Sequence, residues 1–102
     1  MQVSEDEFYK LNEKIAAAIR SAGENGTVKA DLKQYSAVLR MVAEAMAERP
    51  DVRVTFIFKD GGRARTFTAP AGADALSAFG GEERISLKTL AKKLNLKVTV
   101  KK

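Results

Sequence analysis

The residues with chemistry to offer in this chain are its cations, and those of the C-terminal half are the most concentrated. Arg84, Lys88, Lys92, Lys93, Lys97, Lys101 and Lys102 follow one another without a carboxylate among them. Arg63 and Arg65 precede them on a segment that also carries Phe67. Clustered Lys and Arg neutralise phosphate backbones with release of counterions, an attraction indifferent to base sequence. Cations around an exposed aromatic can in addition hold phosphates while a base stacks on the ring. The candidate contact residues are therefore Arg63, Arg65, Phe67, Lys88, Lys92, Lys93, Lys97 and Lys101. The plain alternative is a solvated face, because lysines commonly line the outer side of an amphipathic helix or an edge strand.

Composition narrows the remaining chemistry. The 102 residues carry a net charge of +5, divided as −1 over residues 1–50 and +6 over residues 51–102. Without cysteine there is no disulfide framework, no thiolate metal site and no thiol nucleophile. Without histidine the commonest general base and the commonest transition-metal ligand are missing. Glu44 and Glu48 share a helix face but have no partner ligands in the sequence, and Asp60-Gly61-Gly62-Arg63 lacks the lysine and following helix of a phosphate loop. No activated nucleophile or acid and base pair can be named, so a non-enzymatic protein without a cofactor is expected. Glu5, Asp6 and Glu7 do not open a secretory signal, and no apolar run approaches a membrane span. A cytoplasmic location away from membranes is the expectation.

These cations must be positioned by a fold organised around residues 52–69. Val52, Val54, Phe56 and Phe58 alternate with Arg53, Thr55, Ile57 and Lys59, the period of a strand with one buried face. Asp60, Gly61 and Gly62 allow a tight reversal before residues 63–68 return. Loop length fixes the faces, because a shift of one residue turns the second strand over. A two-residue loop puts Arg63, Arg65 and Phe67 on the face of Phe56 and Phe58. A three-residue loop with a bulge at Gly62 instead puts Ala64, Thr66 and Thr68 there, and leaves Phe67 outside among Arg53, Lys59, Arg63 and Arg65. The second register is preferred, since it keeps long cations wet.

Upstream, Ser4-Glu5-Asp6-Glu7 reads as a capping box flanked by Val3 and Phe8 as a hydrophobic staple, opening a helix over about residues 5–22. Leu32, Tyr35, Leu39, Val42 and Met46 then recur at helical spacing, predicting a second helix over about 29–49 that ends at Pro50. Residues 69–83 read as a loop anchored by Leu76 and Phe79, with Asp74 capping one turn. Ser86 caps a third helix over 87–94, with Lys88, Lys92 and Lys93 outside, and residues 96–101 alternate as a last strand. No internal repeat, low-complexity tract or domain boundary interrupts the chain. The expected fold is a single α+β domain of order α-α-β-β-α-β, an antiparallel helical hairpin on a three-stranded antiparallel sheet with residues 52–59 central.

Ile85-Ser86-Leu87-Lys88-Thr89-Leu90-Ala91-Lys92-Lys93-Leu94-Asn95-Leu96 resembles the first helix and turn of a helix-turn-helix, a family whose second helix reads the major groove. Residues 97–102 alternate as a strand, so the recognition helix that the resemblance implies has no sequence to form it. The charge pattern favours a small basic binding domain that contacts nucleic acid, or a protein that handles it, through the C-terminal half. The rival is a protein-interaction or inhibitor module, self-association into a homodimer included. It would use the hairpin edge and the 69–83 loop, with Phe67, Phe79, Arg63 or Met41 as anchors.

Overall fold

A computed structural model describes residues 4–100, with side chains from residue 6 onward. The first helix, α1 (Ser4–Arg20), drops Phe8, Ile15, Ala16 and Ile19 into the core at helical spacing. Val3, the Ser4 side chain and hence the capping box and staple lie outside the described residues.

The segment expected to open a second helix is instead extended. Thr27, Lys29 and Asp31 are exposed while Val28 and Ala30 are buried, and this alternation makes β1 (Thr27–Asp31) a strand with one inner face. A turn follows, then β2 (Ala37–Leu39), and only α2 (Arg40–Glu48) is helical. The helical spacing of Leu32, Tyr35 and Leu39 thus arises from three separate pieces of backbone. What wins is β1's pairing with a distant strand, a partner that local periodicity cannot reveal.

That partner is β3 (Arg53–Asp60), which β1 joins in parallel, Val28 beside Val54 and Ala30 beside Phe56. β3 turns back into β4 (Arg63–Ala69), and the chain continues through α3 (Ala75–Phe79), β5 (Arg84–Ser86), α4 (Leu87–Lys93) and β6 (Thr99–Val100). The main sheet has the order β1-β3-β4-β6, four strands rather than three and mixed rather than antiparallel. The last strand pairs with β4, not with β3, because β1 already occupies β3's other edge. The result is a compact α+β domain with a radius of gyration of 12.6 Å, close to the roughly 13 Å expected for about 100 residues. Val54, Phe56, Phe58, Phe67 and Ala69 share one core with residues of all four helices, so the helices cover a single face of the sheet.

The hairpin takes the two-residue loop. Asp60 pairs with Arg63, Phe58 with Arg65 and Phe56 with Phe67, and Gly61 and Gly62 have φ of 62° and 78°. Two consecutive left-handed residues are the signature of a type I′ turn, whose twist matches that of the strands. The three-residue register is excluded, and with it an exposed Phe67.

Two polar side chains fasten the helical layer. Asn12 is fully buried; its Nδ2 donates to Phe8 O at 2.8 Å and its Oδ1 accepts from Leu39 N–H at 2.9 Å, tying α1 to β2. Arg49, one residue beyond α2, donates to the carbonyls of Ile19, Arg20, Ala22 and Gly23, closing the C-terminal end of α1. Asp51 holds that guanidinium at 3.2 Å and also accepts the Asn25 N–H at 2.7 Å.

Truncating Asn12 to Ala leaves the Leu39 N–H buried without a partner, and urea denaturation should show a loss of about 1–3 kcal/mol. Hydrogen bonds from the Arg49 side chain, then from the Asn25 N–H, lower the Asp51 carboxyl from 3.8 to about 2. The folded state therefore holds this proton less well than the unfolded chain, so the stabilisation is complete above about pH 4 and is lost as pH falls through about 2. Asp51→Asn should flatten the acid limb of a stability-versus-pH curve over that window; a limb of unchanged steepness would contradict the assignment.

Candidate anion-binding groove

Four of the candidate cations gather around Asp60, two placed by the hairpin register and two by α4. Because Asp60 shares a face with Phe58 and Arg65, its carboxylate lies at the rim of the core rather than at a free loop tip, with Arg63 as its cross-strand partner. Arg65 Nε lies 3.3 Å from Asp60 Oδ2, and Lys88 Nζ approaches the same oxygen at 3.5 Å. The Arg65 Nε is shielded from solvent and makes no aligned hydrogen bond, so its contact with Asp60 is Coulombic.

Lys88 arrives from α4, whose sequence dictates its two faces. Ser86 Oγ accepts the Thr89 N–H at 3.1 Å and starts the helix, Leu87, Leu90 and Ala91 are buried, and Lys88, Lys92 and Lys93 fall outside. Asn95, at a left-handed φ of 61°, turns the chain back across the helix, and the Leu96 N–H bonds to Ala91 O at 2.8 Å. No second helix follows α4 among the described residues, so the helix-turn-helix resemblance ends at its turn.

Between the hairpin end, α4 and the segment leading into β6 lies a cavity of about 360 Å³. Ala91, Leu96 and Val98 contribute apolar lining, while Asp60, Arg65, Lys88 and Lys92 contribute the charges. Three cations against one carboxylate, over an apolar surface, form a groove suited to an anion with a hydrophobic portion.

The other predicted residues are placed around this groove or away from it. Arg63 is exposed at the turn. Lys93 and Lys97 are exposed and do not line the cavity, although Lys97 lies between two residues that do. Lys101 lies outside the described residues. Phe67 is corrected from candidate stacking surface to core: it is 4% exposed, its ring stacked 5.1 Å from Phe56 and edge-on to Phe58 at 6.1 Å. Arg63 and Arg65 likewise leave the outer sheet face. That face keeps Arg53 and Lys59 beside a threonine row, in which Thr55 and Thr68 share a hydroxyl contact at 3.0 Å and Thr66 donates to Phe56 O at 2.8 Å.

Among the described residues, no carboxylate of the helical half pairs with a groove cation. Glu48 takes a bidentate bond from Arg20 at 2.8 and 2.9 Å, which lowers its carboxyl and raises the guanidinium, and Asp6 lies 4.0 Å from Lys10. Asp60 is the groove residue that sequence reasoning assigned only to a turn. The signal was present in the alternation Phe56, Phe58, Asp60, which places the carboxylate on the core face whatever the loop length.

Comparison with protein-family models, with curated proteins and with solved structures finds no match to this chain.

Because Phe67 is core, Phe67→Ala should cost about 3–5 kcal/mol in urea denaturation. A loss below about 0.5 kcal/mol would be the response of a surface ring.

Proposed function

We propose that this chain is a non-catalytic binding domain that contacts nucleic acid through the groove built by Arg65, Lys88 and Lys92, with Arg63, Lys93 and Lys97 exposed on the elements that line it. The observation that supports it best is the convergence of three of these cations from separate elements, β4 and α4, on one cavity with a single carboxylate between them. Phosphates are the natural occupants of such a surface, because each one engaged releases condensed counterions. Asp60 then acts as an internal counterion, holding Arg65 and Lys88 in place until a phosphate oxygen takes over one of them. The apolar lining from Leu96 and Val98 gives a sugar or base edge something to rest on, and contacts to phosphates carry no base sequence information. Binding without sequence preference is expected. The rival interaction module loses two of its four anchors, since Phe67 and Phe79 are 4% and 2% exposed.

Fluorescence anisotropy with mixed-sequence DNA and RNA tests the proposal. Binding should be evident near 50 mM salt and fall steeply by about 200 mM. Lys88→Glu with Lys92→Glu should reduce the slope of log K against log salt by about 1 for each phosphate that is no longer engaged. Absence of binding at low salt, with both DNA and RNA, would end the proposal.

A further inference from the structure

The two edges of the main sheet are unlike. At one, β6 is two residues long and pairs only with Arg65 and Thr66, and β4 runs out at Pro70. In the small sheet, the outer side of β2 is closed by Asn12, whose Oδ1 takes the Leu39 N–H at 2.9 Å. β1 is different. It is five residues long and joins β3 on one side, and among the described residues no backbone group bonds to its other side. The bonds at its ends fix which groups are open, since Arg53 N–H donates to Gly26 O at 2.9 Å and Leu32 N–H to Ile57 O at 2.7 Å. Alternation then turns the peptide groups of Val28 and Ala30 towards β3, and those of Thr27, Lys29 and Asp31 outward. Such a row is a template for a further strand.

The charges on β1 select that strand. Edge lysines commonly guard against pairing, and Lys29, at the centre of β1, opposes a second β1 aligned on itself. Asp31, two residues on, lifts that restriction in one register. When two copies of β1 run antiparallel about a two-fold axis at Ala30, Lys29 of each copy lies opposite Asp31 of the other, and these outward residues exchange both backbone bonds. Moving the axis by one residue opposes Lys29 to Lys29 or Asp31 to Asp31, while the outward groups can no longer all meet opposite charge. We infer that this chain forms a two-fold dimer through β1 in the register centred on Ala30, with one sheet continuous across both copies. The contact is isologous and uses β1 of both copies, so assembly stops at the dimer. Edge pairing buries little surface, which places the dimer in the weak, reversible class. β1 and β6 are the two ends of the sheet order, so this contact is independent of the groove beside β4 and β6.

Sedimentation equilibrium of the full chain between about 20 µM and 1 mM reads the dimer directly, with an expected Kd at or below about 0.2 mM. In amide hydrogen exchange, Lys29 and Asp31 should gain protection as concentration rises, whereas Val28 and Ala30, bonded to β3, are protected throughout. Lys29→Glu sets carboxylates opposite one another and Asp31→Lys sets ammonium groups opposite one another, so each alone should weaken association at least about tenfold. An equimolar mixture of the two variants restores opposite charges at both positions and should return the Kd to within about threefold of the wild type. Lys88→Glu with Lys92→Glu should leave association unchanged. The inference is overturned if the wild-type chain is monomeric at the highest concentration, or if Lys29→Glu associates as well as the wild type. It is equally overturned if mixing the two folded variants restores nothing, or if the amides that gain protection lie outside β1.

Discussion

Two consecutive left-handed glycines decide which way the second half of this protein faces. With Gly61 and Gly62 at φ of 62° and 78°, β3 and β4 close on a two-residue turn, and parity then fixes every residue of β4. Phe67 goes inward, where burying its ring is worth about 1.5–3 kcal/mol and its contacts with Phe56 and Phe58 add roughly 0.5–1.5 kcal/mol per pair. The same parity brings Arg63 and Arg65 to the core side of the sheet. They avoid a heavy desolvation cost because they lie at the hairpin's turn end, where Arg65 keeps 32% of its side chain exposed and Asp60 supplies a counter-charge. In the alternative register the arginines are freely wet but the phenylalanine is lost from the core. Apolar burial outweighs that convenience.

The groove depends on this outcome. Asp60 occupies the core-side rim only because it continues the inward series of Phe56 and Phe58, and Arg65 meets it only because Phe67 is inside. Lys88 completes the trio through an unrelated route, the helical period that keeps Lys88 and Lys92, one turn apart, on the exposed face of α4 while Leu87, Leu90 and Ala91 are buried. A strand parity and a helical period, set independently, therefore converge on one carboxylate.

The parts legible in the sequence are those governed by near neighbours. The alternation in β3, the glycine turn, the Asp74 cap on α3 and the Ser86 cap on α4 are all local signals, and the structure has each of them. What stays hidden is non-local. β1 is a strand because it lies against β3, more than twenty residues downstream, and Leu32, Tyr35 and Leu39 imitate a helical stripe only because strand, turn and strand happen to put them three and four apart. Asn12 and Arg49 look like ordinary surface residues in the sequence. Their function, satisfying a strand N–H and a helix's last carbonyls, exists only once α1, β2 and α2 have met.

The small two-stranded sheet shows how the charge asymmetry becomes spatial. β2 and β5 pair antiparallel around Val38 and Ile85, and each runs directly into a helix. The backbone bonds flanking them are mirrored, Arg40 N–H to Glu83 O and Leu87 N–H to Ser36 O, both at 2.8 Å. The two strand–helix units are thus related by a local two-fold, although no repeat is visible in their sequences. Their inner faces are alike in being apolar, as the shared core requires, but their outer faces are free to differ. α2 exposes Glu44 and Glu48, and α4 exposes Lys88, Lys92 and Lys93. Among the described residues no ion pair joins Glu44 or Glu48 of α2 to Lys88, Lys92 or Lys93 of α4. Glu48 is taken up by Arg20 on α1, and among the described residues only Asp60 reaches Lys88. Fold geometry thereby preserves, in three dimensions, the segregation that the linear sequence begins.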